Sequence, residues 1–386
     1  MDLTAATRAY LSLAREHRRT LHRIPEKGNA EVKTQAYVLG TLRQLAPDAL
    51  SVMAGTGVRA VFRARDAGER PRCVAFRADM DALSIPEKTG CDFASTHEGM
   101  MHACGHDGHT ANLLTLARRI ADNRDALACD VVLIFQPAEE TTGGAQRMIE
   151  AGALDDPQVD EVYGMHLMPD IPLGKVGSCA GPLMASTTEI DFDLTGQSAH
   201  GAMPHMGTDT ISAAAHLLTL LQTQVARTVD PCQSALITVG RMEAGTQRNV
   251  LAAHAHLEGI IRTLSNEVYK GLYARIEDCV RGVEAAFGVT CDITSRVYFP
   301  CVENDASLHA RVREILGERY VPLAPRMIAE DFSYYQLKRP GVFVFCGCMD
   351  EQHHSPLHSD TFDFDEQALL YGLELFTRLI TWKREV

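Results

Sequence analysis

Residues 131–140 of the chain read VVLIFQPAEE, an unbroken apolar run that leads directly into two adjacent glutamates. A continuous apolar run of this length, rich in β-branched residues, is typical of a strand buried on both faces of a parallel sheet. In open α/β sheets, ligands bind beyond the carboxyl ends of such strands. The stretch therefore predicts an α/β fold with a site at Glu139 and Glu140.

The segments around this strand follow the same alternation. Short apolar runs lie at 58–64, 73–78, 162–166 and 342–345, and helical apolar spacing occurs at 4–23, 33–46, 108–122 and 143–152. Strands that alternate with helices favour a central, mainly parallel sheet flanked by helices. A final helix is expected at 365–383.

A different pattern begins near residue 181. Strand-like runs at 187–195, 235–239 and 254–261 combine with long helical stretches at 208–228 and 266–286. This β-α-β-β-α order in about 110 residues is typical of a small α+β domain. We expect one domain of residues 1–180 and 292–386, into which a second domain, residues 181–291, is inserted.

Composition restricts the function classes. The 386 residues are 46% hydrophobic, and the net charge of -13 argues against a nucleic-acid partner because no basic patch offsets it. No apolar run reaches 18 residues, so we expect no membrane span. Eleven cysteines without paired spacings or a leader sequence argue against a disulfide framework and predict a cytoplasmic location.

Residues 101–109, MHACGHDGH, contain the densest set of metal-capable side chains. Cys104 and His106 are separated by one glycine, a spacing that suits a loop folded around an ion better than one face of a helix. The alternative is a histidine-rich loop that caps the following helix, with Cys104 packed as a small buried residue.

Glu139 and Glu140 allow a division of labour, because adjacent residues of an extended chain point to different sides. One carboxylate could coordinate a metal while the other takes a proton from the attacking water. The alternative is that both are solvated acids favoured by the dipole of the helix that follows Gly143 and Gly144.

Polar residues follow two further strands. Asp79 and Asp81 come after the run at 73–78, and His166 ends the run at 162–166. Each alone would be a turn former or a hydrogen-bonded structural residue. Three strands that deliver Asp, Glu and His to one sheet edge instead predict a polar pocket that a cation satisfies.

A second histidine cluster, QHHSPLHSD at 352–360, follows the strand at 342–345. Any of its three histidines could be a ligand, although solvated loop positions are the preferred interpretation for His353 and His354. Sequence spacing alone does not choose among them.

Four polar residues stand out in the inserted block. His200 and His205 lie in a glycine-flanked loop after a strand, a natural place for a side chain that meets substrate. Asn249 and Arg262 flank the strand at 254–261. Taken alone, the histidines would be structural and the other two would be surface residues.

Six motifs in fixed order resemble the M20 metallopeptidases, specifically the amidohydrolase branch of hippurate hydrolases, N-acyl-amino-acid aminoacylases and plant auxin-conjugate hydrolases. The resemblance runs from about Arg19 to the C-terminus. The motifs are DMDAL at 79–83, MHACGHDGHT at 101–110, QPAEE at 136–140, GMH at 164–166, SAHGAMPH at 198–205 and EDFS at 330–333.

The resemblance implies a catalytic domain that holds two divalent metal ions per subunit, zinc or manganese, with cobalt or nickel as alternatives. It implies Glu139 as the general base and Asp81 as a second acid that holds His106 in its coordinating tautomer. It also selects His358 from the C-terminal cluster. The implied metal ligands are Cys104, His106, Glu140, His166 and His358.

The resemblance further implies that the inserted domain is a ferredoxin-like lid and dimerisation domain of a homodimer. His200 would polarise the scissile carbonyl, in many members from the neighbouring subunit. Asn249 and Arg262 match positions that contact the carbonyl and the carboxylate of the substrate.

The implied reaction is hydrolysis of the amide bond of N-acyl amino acids, such as N-acetyl or N-benzoyl derivatives, or of small peptide-like conjugates. The alternatives are a dipeptidase or carboxypeptidase of the same fold and a peptide-binding homologue that has lost catalysis. The presence of Glu139 and of every implied ligand argues against an inactive homologue.

Overall fold

The computed structural model describes residues 1–65, 68 and 71–384. The chain divides into two compact units. The first comprises Met1–Leu183, Glu303–Ala324 and Asp331–Val386, and the second comprises Met184–Val302 and Pro325–Glu330.

The helices and strands are numbered in chain order. The strands are β1 (Ala49–Met53), β2 (Gly57–Phe62), β3 (Cys73–Asp79), β4 (Asp130–Gln136), β5 (Glu161–Pro172), β6 (Val176–Ser178), β7 (Gly181–Met184), β8 (Ser186–Thr195), β9 (Ala235–Ala244), β10 (His254–Thr263), β11 (Thr290–Phe299), β12 (Val302–Asn304), β13 (Tyr320–Pro322) and β14 (Gly341–Met349). The α-helices are α1 (Ala5–Arg8), α2 (Leu11–His22), α3 (Val32–Gln44), α4 (His106–Asp122), α5 (Ala145–Glu150), α6 (Thr210–Thr228), α7 (Asn266–Phe287), α8 (Ala306–Leu316), α9 (Ser333–Gln336) and α10 (Ala368–Leu379).

The first unit is built on an eight-stranded sheet in the order β1-β2-β4-β3-β5-β14-β6-β13. Its four central strands, β4, β3, β5 and β14, run parallel to one another. Every residue of β3 and β4 is buried, as expected for apolar strands covered on both faces by helices. The predicted mixed, mainly parallel α/β class is confirmed.

Strand register brings the polar residues to one edge of this sheet. Asp79, the last residue of β3, pairs with Gln136, the last residue of β4. His166 of β5 pairs with Phe345 of β14. Strands β3 and β4 therefore end side by side, and the loops that follow them are neighbours, whereas His166 lies within β5, which continues to Pro172 instead of ending at residue 166 as predicted.

The second unit is a four-stranded antiparallel sheet, β11-β8-β10-β9, with helices α6 and α7 packed on it. Buried and exposed residues alternate along part of β8, which is typical of a sheet covered on one face. The order β-α-β-β-α-β is that of a ferredoxin-like α+β unit.

Strand β11 was not predicted from the sequence. The residues after 291 were expected to belong to the first domain. Instead, β11 pairs with β8, and the second unit continues to Val302. Its central residues Thr294, Ser295 and Arg296 are polar and exposed at the edge of the sheet, so no apolar alternation marks the strand.

Several further strands were also unpredicted. β6, β12 and β13 have three residues each, too short for a periodic pattern, and β1 lies at an exposed edge of the large sheet. All eleven cysteines lie within the described residues and are free thiols. Among the described helices, none has both the length and the apolar character needed to cross a membrane.

Candidate metal centre

The Cys104 loop turns immediately before helix α4. Gly105 has a φ of 86°, a left-handed conformation that favours glycine, and His106 is the first helical residue. The turn leaves both Cys104 and His106 buried. Cys104 Sγ lies 3.3 Å from Nε2 of His166 on strand β5.

Two of the histidines are oriented in the same way. Nδ1 of His106 donates to the backbone carbonyl of Asp81 at 3.0 Å, and Nδ1 of His166 donates to the carbonyl of Leu167 at 2.6 Å. Metal-binding histidines usually use their second nitrogen in this manner, which directs the other nitrogen at the ion. Within the described part of the chain, the buried Nε2 of His106 has no hydrogen-bond partner. A metal ion would supply one.

The loop that carries the two glutamates is held by two buried carboxylates. Ala138 has a φ of 58°, a strained conformation for a residue with a Cβ, and its N–H donates to Glu31 Oε1 at 2.8 Å. The N–H groups of Glu139 and Glu140 donate to the two oxygens of Asp81 at 3.1 and 3.0 Å. Asp81 therefore fixes the positions of both glutamates.

His358 reaches the same place from the C-terminal loop. Its φ is 62°, and its N–H donates to the carbonyl of Ala103 at 2.8 Å. Nε2 of His358 lies 3.1 Å from Glu140 Oε1, which is itself 3.9 Å from Nε2 of His106. Burial alone would raise the pKa of Glu140, but the hydrogen bond with His358 and the charges of His106 and His358 together outweigh burial and lower that pKa to about 2.

All five predicted ligands thus come together with Glu139. Their donor atoms form overlapping sets, and within each set the atoms lie within 4.8 Å of one another. The sets are Cys104, His106 and His166; Cys104, Glu140 and His358; and His106, Glu139 and Glu140.

The electrostatics of this centre favour a cation. Burial raises the pKa of the Cys104 thiol well above its usual range, and the charges of Glu140 and Glu139 raise it further. For His106, burial lowers the pKa, but the carboxylates of Asp79, Asp81 and Glu140 together outweigh burial and raise that pKa to about 10. Negative charge is therefore concentrated here. Divalent ions offset such charge by displacing protons from their ligands.

The donor chemistry fits the implied metals. Sulfur, imidazole and carboxylate donors in one cluster, buried at Cys104, His106 and His166 and exposed at His358, suit zinc and its neighbours in the transition series. The residues present therefore fit a metal centre on their own geometry, and the capping-loop interpretation does not account for the inward-facing Nε2 atoms.

Other histidines of the two clusters have different surroundings. His109 donates from Nδ1 to Asp79 at 2.7 Å, and its Nε2 accepts from the N–H of Leu167 at 2.9 Å, so neither nitrogen is available to a metal. His353 bonds Asp350 at 2.9 Å through Nδ1, and His354 is exposed. Sequence spacing alone could not separate His109 from His106.

A buried network behind the centre was missed by sequence reasoning. Asp331 accepts bonds from Arg77 Nη2, from Gln136 Nε2 and from the N–H of Gly144, each at 2.8 Å. A Cβ on Gly144 would lie 1.8 Å from the carbonyl oxygen of Pro137, so this position requires glycine. Asp331 belongs to the EDFS motif, which was a usable signal. Glu31 lies in none of the six motifs, so no signal in the sequence pointed to it.

In the second unit, His200 and Asn249 lie on neighbouring loops. The N–H of Gly201 donates to the carbonyl of Asn249 at 2.8 Å, and both His200 and Asn249 are exposed. Nδ1 of His200 accepts from the N–H of Ala202 at 3.1 Å, so the ring proton lies on Nε2.

Arg262 lies on strand β10 of the second unit and is half-buried. Its Nη1 is buried and has no hydrogen-bond partner among the described residues. Burial lowers the pKa of this guanidinium, and the charge of Glu189 opposes that effect. An unsatisfied guanidinium nitrogen of this kind is suited to an anionic ligand.

A set of one thiol, imidazoles and carboxylates beside Glu139, in the loops around the parallel sheet and on strand β5, is typical of a metal-dependent hydrolase. Residues 75–382 match the model of peptidase family M20/M25/M40. The chain belongs to this family, and it is an amidohydrolase that acts on amide bonds.

Relatives match along almost the whole chain. The N-acetyldiaminopimelate deacetylase of Bacillus cytotoxicus is 39% identical over 374 residues, which cover 95% of this chain and 96% of the relative. The enzyme of the same name from Bacillus subtilis is 40% identical over 352 residues, 89% and 92% of the two chains. The predicted family and type of reaction are confirmed.

A solved structure agrees with these relatives. The crystal structure of the Bacillus subtilis YXEP protein, described as a dinuclear metal binding peptidase from the M20 family, superposes with a TM-score of 0.82 at 32% identity. The match covers 96% of this chain and 97% of that one.

Proposed function

We propose that the protein hydrolyses N-acyl amino acids, with N-acetyl derivatives as its preferred class, and releases a carboxylic acid and an amino acid. The observation that carries this proposal is the cluster of five metal-capable donors beside Glu139, in which the buried Nε2 of His106 has no hydrogen-bond partner among the described residues. The deacetylase relatives, aligned over nearly their full length, support the acetyl group as the acyl part.

We infer that Cys104, His106, Glu140, His166 and His358 hold two divalent ions. Zinc suits the thiolate and imidazoles, manganese is the alternative, and cobalt or nickel could replace either. When bound, such ions supply Lewis acidity, which lowers the pKa of water and polarises a carbonyl group.

Glu139 is the proposed general base. Its backbone is fixed by Asp81, and one of its carboxylate oxygens lies within 4.8 Å of donor atoms of His106 and Glu140. It takes a proton from the attacking water as the new C–O bond forms. It then delivers that proton to the amide nitrogen as the C–N bond breaks, so the amine leaves neutral.

The second unit supplies the proposed substrate contacts. The Nε2–H of His200 donates to the carbonyl oxygen on which charge develops, and Arg262 pairs with the substrate carboxylate. Asn249 binds the substrate carbonyl. The homodimer through this unit and the cytoplasmic location remain predictions from the sequence.

Hydrolysis of a substrate panel tests the proposed function. N-acetyl, N-benzoyl and longer N-acyl amino acids, N-acetyldiaminopimelate and dipeptides are assayed with each divalent metal. The proposal expects N-acetyl amino acids to have the highest kcat/KM. Faster hydrolysis of dipeptides would instead support a dipeptidase, and a metal-loaded protein that cleaves nothing would support an inactive homologue.

Subunit mixing tests whether His200 serves the partner subunit. Inactive Glu139→Gln and inactive His200→Ala subunits are allowed to exchange, and activity is measured. One site of each heterodimer then has both residues intact, so partial activity should return. Heterodimers that are verified by native mass spectrometry and stay inactive would contradict action from the partner.

A further inference from the structure

A separate group of metal-capable side chains lies in the first unit. His22 ends helix α2, and Glu87 and Cys91 come from the segment between β3 and α4. Nε2 of His22 is 3.2 Å from Glu87 Oε1, and Cys91 Sγ is 3.6 Å from the same oxygen. The three donor atoms all lie within 4.8 Å of one another. We call these three residues the His22 cluster.

The spacing of the donor atoms suits a tetrahedral ion. Zinc binds sulfur at about 2.3 Å and nitrogen or oxygen at about 2.0–2.2 Å, which places neighbouring ligand atoms roughly 3.3–3.7 Å apart. The observed separations of 3.2 and 3.6 Å are close to this range.

His22 is oriented as a metal ligand. Its Nδ1 lies 2.7 Å from Asp107 Oδ2, and Asp107 is held in turn by Nε of Arg18 at 3.0 Å. This is the carboxylate–histidine arrangement that fixes the tautomer and directs the opposite nitrogen at a metal. Unlike His109, whose Nε2 accepts from a backbone N–H, His22 bonds the carboxylate of Glu87 through Nε2, so a metal ion would have to replace the proton of that bond.

Burial and charge favour a cation at this position. The side chain of His22 is 1% exposed and that of Glu87 is 6% exposed, so the carboxylates on the two sides of the ring are poorly solvated. Cys91 is partly exposed, which gives an ion a route in. Arg18 pairs with Asp107, and His22 bonds both Asp107 and Glu87, so a divalent ion would enter by displacing the protons of His22 Nε2 and of the Cys91 thiol.

We propose that the His22 cluster binds one transition-metal ion of the zinc class, in addition to the ions of the catalytic centre. Three protein ligands leave a fourth position for water. Because the ligands come from α2 and from the segment before α4, the ion ties that segment to the helix. Cys91 supplies the thiolate and is the residue whose loss removes the site.

Metal content and a cobalt spectrum test the proposal without an activity assay. Cys91→Val should lower the zinc content by about one ion per chain, measured by elemental analysis after dialysis against limiting zinc. The matched control, Cys232→Val, changes an exposed thiol of the second unit and should leave the content unchanged. Equal zinc content in wild type and Cys91→Val would overturn the proposal.

The absorption spectrum of bound Co²⁺ distinguishes metal binding by Cys91 from metal binding by Cys104. In Co²⁺-substituted Cys104→Ser protein, thiolate-to-cobalt absorption should persist, and it should disappear when Cys91→Val is added. Absorption that is already absent in Cys104→Ser protein would assign all of it to the catalytic centre and overturn the proposal. Glu87→Gln offers a milder change that should weaken zinc binding at least about tenfold.

Discussion

The proposed metal centre of the first unit and the proposed substrate residues of the second unit differ in how firmly their side chains are held. In the centre, imidazoles bond backbone carbonyls, and Asp81 fixes both glutamates. In the second unit, His200 is exposed and Arg262 keeps an unsatisfied nitrogen. If the proposed roles are right, the groups that carry the chemistry are already held in place, whereas Arg262 gains its missing partner only when substrate binds.

The largest expected effect is that of replacing Glu139, the proposed general base of the metal centre. Glu139→Gln should keep its metal and lose about 100 to 10,000-fold in kcat, because a general base contributes that much. Glu140→Gln should instead lose affinity for at least one ion. Elemental analysis and kinetics of both variants check the two roles. If Glu139→Gln lost its metal but turned over at the wild-type rate once metal was restored, Glu139 would not be the general base.

Replacing Arg262, a proposed substrate contact, should have a smaller effect on activity. Arg262→Gln should lower kcat/KM for N-acyl amino acids by about 10 to 100-fold, the value of hydrogen bonds to a charged group. The loss should vanish for substrates whose carboxylate is replaced by a carboxamide. The control is Arg241→Gln. Arg241 is exposed on the neighbouring strand β9, and its replacement should leave kcat/KM near the wild-type value. An equal loss on acid and carboxamide would exclude carboxylate recognition by Arg262.

The smallest effect concerns stability. Gly144→Ala should destabilise the protein by about 1–3 kcal/mol, because the added Cβ meets the carbonyl of Pro137 at 1.8 Å. Gly282→Ala, in helix α7 with no atom within 4 Å of the new Cβ, should stabilise by about 0.5–1 kcal/mol. Denaturant midpoints measured on both variants compare them. If the Gly144→Ala protein were as stable as wild type, the loop that carries Glu139 and Glu140 would have to shift to accept the Cβ without a loss of stability.

The sequence predicted the fold of the first unit well because its strands are continuous apolar runs with polar residues at their ends. It also predicted that Cys104, Glu140 and His166 come together, and their donor atoms do lie in overlapping sets, although His166 lies within β5 and not at its end. The edge strand β11 could not be predicted, because a half-exposed edge needs no apolar alternation.

The support of the centre was harder to predict than its donors. Glu31 accepts a bond from Ala138, a residue 107 positions away, and no local pattern reports such a partner. Likewise, His106 and His109 share one motif and are both buried. Only the three-dimensional hydrogen bonds distinguish the histidine with a vacant nitrogen from the one with none.

The double hydrogen bonding of His109 makes that ring a built-in reporter for magnetic resonance. Its ring centroid lies 4.6 Å from that of His166 and 5.4 Å from that of His106, and its Nδ1 proton is buried against Asp79. Such a proton exchanges slowly with solvent and gives a resolved signal. Loading the centre with paramagnetic cobalt should shift this signal strongly although His109 binds no ion, so occupancy can be followed one equivalent at a time.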